Sequence, residues 1–197
     1  DYEFAEVNDL GAHIIDNIYL QKHIDAILAL PLVDVEAIKA RNFKIVIDSV
    51  NSTGGIFVPA LLKALGVQQI NDIYGITNGQ FPHNPEPFPE HLNALSQEVI
   101  QKKADLGIAI DPDVDRLAFV CEDGTMFGEE YTLVAVADFV LSNHPGKNTV
   151  SNLSSTRALR DITEKWKGNY HASAVGEVNV VTKMKEVQAI IGGEGNG

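Results

Sequence analysis

The sequence predicts an α/β protein: two consecutive α/β domains with mixed sheets and with helices packed on those sheets. Short β-branched runs alternate with segments whose apolar residues recur every three or four positions. This alternation stops at the turn-rich stretch HPGKN (144–148) and then starts again. Hydrophobic residues make up 45% of the 197 residues, which is enough for well-packed cores.

These patterns predict three parts of the chain. Residues 1–40 form a helical linker or the tail of a preceding domain, residues 41–145 a first α/β domain, and residues 146–197 a second, incomplete one. The chain starts without methionine and stops in a glycine-rich stretch, so we expect it to be a fragment of a longer protein.

The elements follow from local patterns. A helical period over residues 12–30 ends at Pro31, and FKIVIDSV indicates a buried strand. In the first domain we expect strands at 43–50, 67–74 and 104–110, helices at 56–66, 92–103 and 129–143, a proline-rich loop at 75–91 and a hairpin about Asp123-Gly124. In the second we expect strands at 148–153, 169–175 and 188–193 and helices at 155–166 and 177–185.

The charge balance narrows the classes of partner. Fifteen Lys and Arg residues stand against 27 Asp and Glu residues, a net charge of −12, which argues against nucleic acid or an anionic membrane surface. A small phosphorylated ligand stays compatible, because it requires only a local basic or metal-bearing pocket. Cys121 is the only cysteine, and no apolar stretch reaches membrane-spanning length or forms a signal peptide. We therefore expect a soluble cytoplasmic protein.

Three aspartates lie between two apolar runs in GIAIDPDVDRLAFV (107–120). A solvated acidic turn would also place carboxylates close together, but here they join two strands that should be buried. The mutual repulsion of Asp111, Asp113 and Asp115 requires a counter-charge, and a divalent cation with oxygen ligands supplies one. Arg116 follows directly and suits a phosphate oxygen.

Two metal-dependent alternatives fit less well. The acidic spacing, with Glu122 in the twelfth position, matches a calcium-binding EF-hand loop, but Arg116 stands where the turn glycine belongs and strands flank the loop. A haloacid-dehalogenase-type phosphatase also begins with Asp-x-Asp after a strand, with Asp111 as the nucleophile, but that motif normally opens its domain.

A third pattern is the best match. DPDVDR resembles the metal loop of the α-D-phosphohexomutases, the phosphoglucomutase and phosphomannomutase family. IIGGEGNG (190–197) resembles their sugar-binding loop, with Asn196 where serine is common, and AVGEVNV (174–180) their third-domain glycine loop. NFKIVIDSVNSTGG and FPHNPEPFPEHL resemble further second-domain segments, and the order of all five agrees over roughly residues 40–197.

The resemblance implies a four-domain Mg²⁺-dependent enzyme that transfers a phosphoryl group on a hexose phosphate through a phosphoserine. Asp111, Asp113 and Asp115 would hold Mg²⁺, and Arg116 would contact a phosphoryl oxygen. Glu194, Asn196, Gly176 and Glu177 would bind the sugar. The serine loop is absent from this sequence, so the first and fourth domains would lie outside it and the chain alone would be inactive. A module that binds a cation or a sugar phosphate without catalysis remains an alternative.

Other polar residues receive simpler interpretations. We expect His83 to be a surface histidine and Asp48 to be structural. Ser49 and Asn51 could touch a ligand or stabilise their loop. Arg157 and Arg160 are expected to be solvated.

Overall fold

The computed structural model describes residues 3–128 and 130–195. The chain divides into two compact units, residues 1–33 and 34–197. The first unit holds a 3₁₀ helix at Val7–Asp9 and helix α1 at Tyr19–Leu28.

Helix α1 is shorter than the helix predicted over residues 12–30, and that prediction is wrong for residues 12–18. The carboxylate of Asp16 accepts a hydrogen bond from the backbone N–H of Ile18 at 3.0 Å. Local bonds of this kind compete with helical ones and favour a turn just ahead of a helix.

The second unit contains six helices and seven strands among its described residues. The helices are α2 (Val35–Arg41), α3 (Gly54–Ala64), α4 (Asn93–Lys102), α5 (Glu130–Asn143), α6 (Ala158–Lys165) and α7 (Glu177–Val187), and a 3₁₀ helix spans Pro89–His91. The strands are β1 (Lys44–Asp48), β2 (Gln69–Asp72), β3 (Leu106–Ile110), β4 (Leu117–Cys121), β5 (Thr149–Asn152), β6 (Tyr170–Ser173) and β7 (Ile191–Gly193).

The first sheet has the strand order β2-β1-β3-β4. Strand β1 pairs in parallel with β2 and β3, and β4 runs antiparallel to β3. One face packs against α4 through a cluster that includes Val46, Leu95 and Val99, and the other against α3 through Ile47 and Leu62. Strands β1, β3 and β4 are nearly continuous apolar runs, as expected when helices cover both faces of a sheet, whereas β2 at the edge is mostly polar.

The hairpin predicted about Asp123-Gly124 is a tight turn after β4. Its return strand is reduced to a single bridge between Val120 and Met126, supported by a bond from the N–H of Cys121 to the carbonyl of Thr125 at 2.8 Å.

The second sheet has the order β6-β5-β7 and is parallel throughout its described strands. The α/β class is therefore confirmed, with one mixed sheet and one parallel sheet. Helix α5 packs against α6 and β7, and its Val134 and Ala137 form a buried cluster with Leu159 of α6. We therefore propose that the second domain begins before α5, ahead of the expected boundary at 144–148.

In both sheets, the loops that carry the notable polar residues leave the carboxyl ends of parallel strands. This edge is where open α/β sheets bind ligands. Within residues 3–128 and 130–195, no helix combines the length and the apolar character required to cross a bilayer.

Candidate metal centre and cleft

The aspartate triplet converges. Asp111, Asp113 and Asp115 each offer one carboxylate oxygen, and these three oxygens all lie within 4.8 Å of one another. Asp111 is buried, whereas Asp113 and Asp115 are exposed. Three oxygens from carboxylates form a donor set that suits a hard divalent cation such as Mg²⁺.

The convergence results from how the loop folds on Asp111. Its Oδ1 accepts hydrogen bonds from the backbone N–H groups of Asp115 and Arg116, both at 3.0 Å. Val114, which lies between Asp111 and these two donors in sequence, has a φ of 65°, a left-handed conformation that is strained for a β-branched residue. Such strain concentrates at functional sites, where the surroundings hold it in place.

The loop that follows β1 supports the aspartate loop that follows β3. The hydroxyl groups of Ser52 and Thr53, which follow β1, donate to the carbonyl oxygen of Pro112 at 2.8 and 2.7 Å. Gly54 then opens α3 against Ile110, where an added Cβ would clash with the isoleucine side chain. The loops after β1 and β3 therefore form one connected structure.

Arg116 forms an ion pair through its Nη1 with Oε2 of Glu86, in the proline-rich loop. Both side chains are a little over one-third exposed, at 37% and 40%. The guanidinium therefore lies at the surface of the site and keeps further N–H donors.

Glu194, just after β7, is fixed by two donors. Its Oε1 accepts from the backbone N–H of Gly176 at 2.7 Å and from Nδ2 of Asn152 at 2.6 Å. Gly176 has a φ of 110°, which favours glycine. This carboxylate thus connects the ends of β5 and β7 to the loop before α7.

A cleft of about 460 Å³ connects the two sets of loops. Four residues that the sequence analysis selected line it: Asp115, Arg116, Glu177 and Glu194. Helix α7 and strand β7 complete its wall, with Val180, Val181, Met184, Gly192 and Gly193. Gly176 contributes through its bond to Glu194, and Asn196 lies outside the described residues.

The EF-hand alternative is wrong. Strands β3 and β4 flank the aspartate loop, and Glu122 lies at the other end of β4 from the triplet. The phosphatase alternative gains no support either, because Asp111 is only 6% exposed and one of its oxygens is occupied by two backbone donors.

His83 is not the surface residue expected from the sequence, because its side chain is only 18% exposed. Its Nε2 lies 2.9 Å from Oδ2 of Asp48, whose side chain is 1% exposed, and its Nδ1 lies 2.7 Å from the carbonyl of Asn84. This pairing attaches the proline-rich loop to the end of β1. Asp48 also accepts a hydrogen bond from the backbone N–H of Val50 at 3.0 Å, which favours the structural role expected for it.

Ser49 and Asn51 stabilise their loop. Ser49 is fully buried and donates to Asp72, and burial raises the pKa of that carboxyl group above its ordinary value. Asn51 donates to the carbonyl of Gln80 at 2.9 Å.

Sequence reasoning missed Asn152 and Glu86. Asn152 is 2% exposed in a strand, and its Oδ1 accepts from the backbone and hydroxyl groups of Ser154 and Ser155. The sequence did offer one indication for Asn152: an amide side chain in a strand that is otherwise expected to be buried. Nothing local distinguished Glu86, because its partner lies 30 positions away.

The fold and the cleft define the class: an α/β protein in which an acidic loop and a second polar loop line one cleft. Two family models match it, both described as phosphoglucomutase/phosphomannomutase α/β/α domains: domain II over residues 21–124 and domain III over residues 128–197. The chain belongs to the phosphoglucomutase/phosphomannomutase family.

Individual relatives agree with this. The chain is 34% identical to a phosphoglucomutase/phosphomannomutase of Thermococcus kodakarensis, over 100% of this chain and 42% of the relative. It is 34% identical to a phosphomannomutase/phosphoglucomutase of Pseudomonas aeruginosa, over 80% of this chain and 34% of the relative. A crystal structure of a family protein from Burkholderia thailandensis matches with a TM-score of 0.78 and 29% identity, covering 90% of this chain and 38% of that one. The chain therefore spans less than half the length of these relatives.

Proposed function

We propose that this chain supplies the metal loop and the sugar loop of a Mg²⁺-dependent phosphohexomutase, which moves a phosphoryl group between the 1- and 6-positions of a hexose phosphate. A phosphoserine outside this chain would carry the group between the two positions. The observation that supports this most directly is the common cleft of Asp115, Arg116, Glu177 and Glu194.

The electrostatics of the cleft support a cation. Three converging carboxylates and two glutamates would repel a phosphate group, and a divalent ion held by Asp111, Asp113 and Asp115 would offset that charge. Bound there, Mg²⁺ would neutralise negative charge on the phosphoryl group, a main requirement of phosphoryl transfer.

The chain's own residues would position the substrate. The N–H donors that Arg116 keeps beyond its pair with Glu86 suit a phosphoryl oxygen. Glu194 is oriented through Oε1 by Gly176 and Asn152, so its other oxygen is available to accept from a sugar hydroxyl. Gly192 and Gly193 carry no side chains, so this wall of the cleft leaves space for a sugar.

The test uses the full-length protein with glucose 1-phosphate and mannose 1-phosphate. We expect turnover that depends on Mg²⁺ and falls by roughly a thousandfold in Asp113→Ala, the size of effect seen when a main electrostatic stabiliser is removed. Glu122→Ala is the matched control, because this exposed carboxylate lies at the far end of β4.

Retained turnover in Asp113→Ala would refute the catalytic role of the triplet. Loss of Mg²⁺ binding in the same variant would then favour a binding or structural role. Hydrolysis of p-nitrophenyl phosphate by the isolated chain would instead favour a phosphatase, since the isolated chain is expected to be inactive.

A further inference from the structure

Glu86 contacts the proposed phosphate-binding arginine from outside the metal loop. Its Oε2 pairs with Nη1 of Arg116, although the two residues belong to separate segments, the proline-rich loop and the turn before β4. Within residues 3–128 and 130–195, Glu86 is the one residue with which Arg116 forms an ion pair.

The segment that carries Glu86 is itself held in place. The backbone N–H of Glu86 donates to Oδ1 of Asn84 at 3.1 Å, and its carbonyl accepts from the N–H of Phe88 at 2.8 Å. Nδ1 of His91 lies 2.8 Å from the same carbonyl. Upstream, His83 is bonded to the buried Asp48. The carboxylate of Glu86 is thus presented by an anchored backbone.

Arg116 requires such a partner. It directly follows Asp115, and its long side chain carries a large rotamer entropy. A free guanidinium beside Asp113 and Asp115 would be drawn into the carboxylate triplet, where it would compete with a divalent cation. Pairing with Glu86 on a different loop holds it away.

We propose that Glu86 is a positioning residue: it keeps the guanidinium of Arg116 at the cleft, directed toward a phosphoryl oxygen and away from the metal triplet. This inference rests on the proposed function for the identity of the ligand, but the Glu86–Arg116 pair is observed independently of it.

The test compares Glu86→Ala with Glu90→Ala, an exposed carboxylate in the same segment, in the full-length protein. The Glu86 variant should raise KM for hexose 1-phosphate roughly fivefold and change kcat less than about twofold, because an exposed ion pair contributes modestly and acts on bound substrate and transition state alike. It should also weaken Mg²⁺ binding, measured by calorimetry, by roughly threefold, because the freed guanidinium occupies the triplet. Glu90→Ala should change neither quantity.

The decisive measurement repeats Glu86→Ala in an Arg116→Ala background. Both effects should disappear there, because Glu86 acts through Arg116. Equal effects in the two backgrounds would show that Glu86 only stabilises its loop. Tighter phosphate binding in Glu86→Ala would show that Glu86 masks Arg116 instead. Either result overturns the proposal.

A failure of the proposed function can be distinguished from a failure of this inference. Wild-type full-length protein without mutase turnover would refute the enzyme, while the same double-variant comparison could still be made with Mg²⁺ and inorganic phosphate as the probes.

Discussion

The amide Nδ2 of Asn152 donates a hydrogen bond to Oε1 of Glu194 over 2.6 Å, with the asparagine almost fully buried. The same oxygen accepts from the backbone N–H of Gly176. Glu194 therefore reaches the cleft already oriented by two donors from separate segments.

Asn152→Asp replaces that donor with a second carboxylate. We expect a loss of about 2–3 kcal/mol in the free energy of unfolding at pH 7, because two adjacent carboxylates repel each other and Glu194 loses a buried donor. The repulsion requires both carboxylates to be ionised, so the loss should shrink as the pH falls toward the range in which carboxylic acids take up protons. Urea unfolding of the variant and the wild type between pH 4 and pH 7 measures this. A loss independent of pH would contradict it.

Alanine variants of Asp111 and Asp113 should differ in folding stability although both lose metal binding. In the absence of metal, Asp111→Ala should cost about 2–3 kcal/mol of unfolding free energy, because the partly buried N–H groups of Asp115 and Arg116 both lose their acceptor. Asp113→Ala removes an exposed side chain and should change stability by less than about 0.5 kcal/mol. Both variants should lose Mg²⁺ binding. Unfolding with EDTA present and Mg²⁺ calorimetry provide the two measurements, and an equally destabilised Asp113 variant would disagree with the structure.

Ser52 and Thr53 donate to one acceptor, so their substitutions should not be additive. Ser52→Ala or Thr53→Val alone should cost about 0.5 kcal/mol, since the carbonyl of Pro112 keeps one donor, whereas the double variant should cost about 2 kcal/mol. Denaturant unfolding of the four proteins in the cycle checks this. Simple additivity would indicate that the two hydroxyls act independently.

Asp72 should make stability depend on pH. Burial is the main cause that raises its pKa above 3.8, and the charge of Asp48 adds to the shift. The folded state therefore favours the protonated acid, and this contribution to stability is lost as pH rises through the folded-state pKa. Asp72→Asn keeps an oxygen for the hydroxyl of Ser49 and cannot ionise. Its stability relative to wild type should be greater at pH 7 than at pH 4, as determined by urea unfolding across that range. The reverse trend would show that the ionised form is favoured.

The elements and the convergence of Asp111, Asp113 and Asp115 could be predicted from the sequence because their causes are local. Apolar strands that end in aspartates, and Gly176 before a helix, have patterns visible within a few residues. The resemblance to the family was also visible in the sequence, because five short segments occur in the order that the family has. The start of α1 was mispredicted because the apolar period continues upstream, while the side chain of Asp16 forms a local bond that the period does not reveal.

The missed features join distant parts of the chain. His83 and Asp48 are 35 residues apart in sequence. Asn152 and Glu194 are 42 residues apart. These pairs meet only in the folded chain, where a loop packs against the end of β1 and where the ends of β5 and β7 share one edge of a sheet, so each residue alone resembles an ordinary polar residue of a loop or strand.

The two hydroxyl bonds to Pro112 also limit how an ion could be held. A carbonyl oxygen has two lone pairs, and here Ser52 and Thr53 occupy both. This backbone oxygen is thus not free to coordinate, and proline has no N–H to offer. An octahedral ion bound by one oxygen from each aspartate would have half of its coordination sphere left for water and an incoming ligand oxygen.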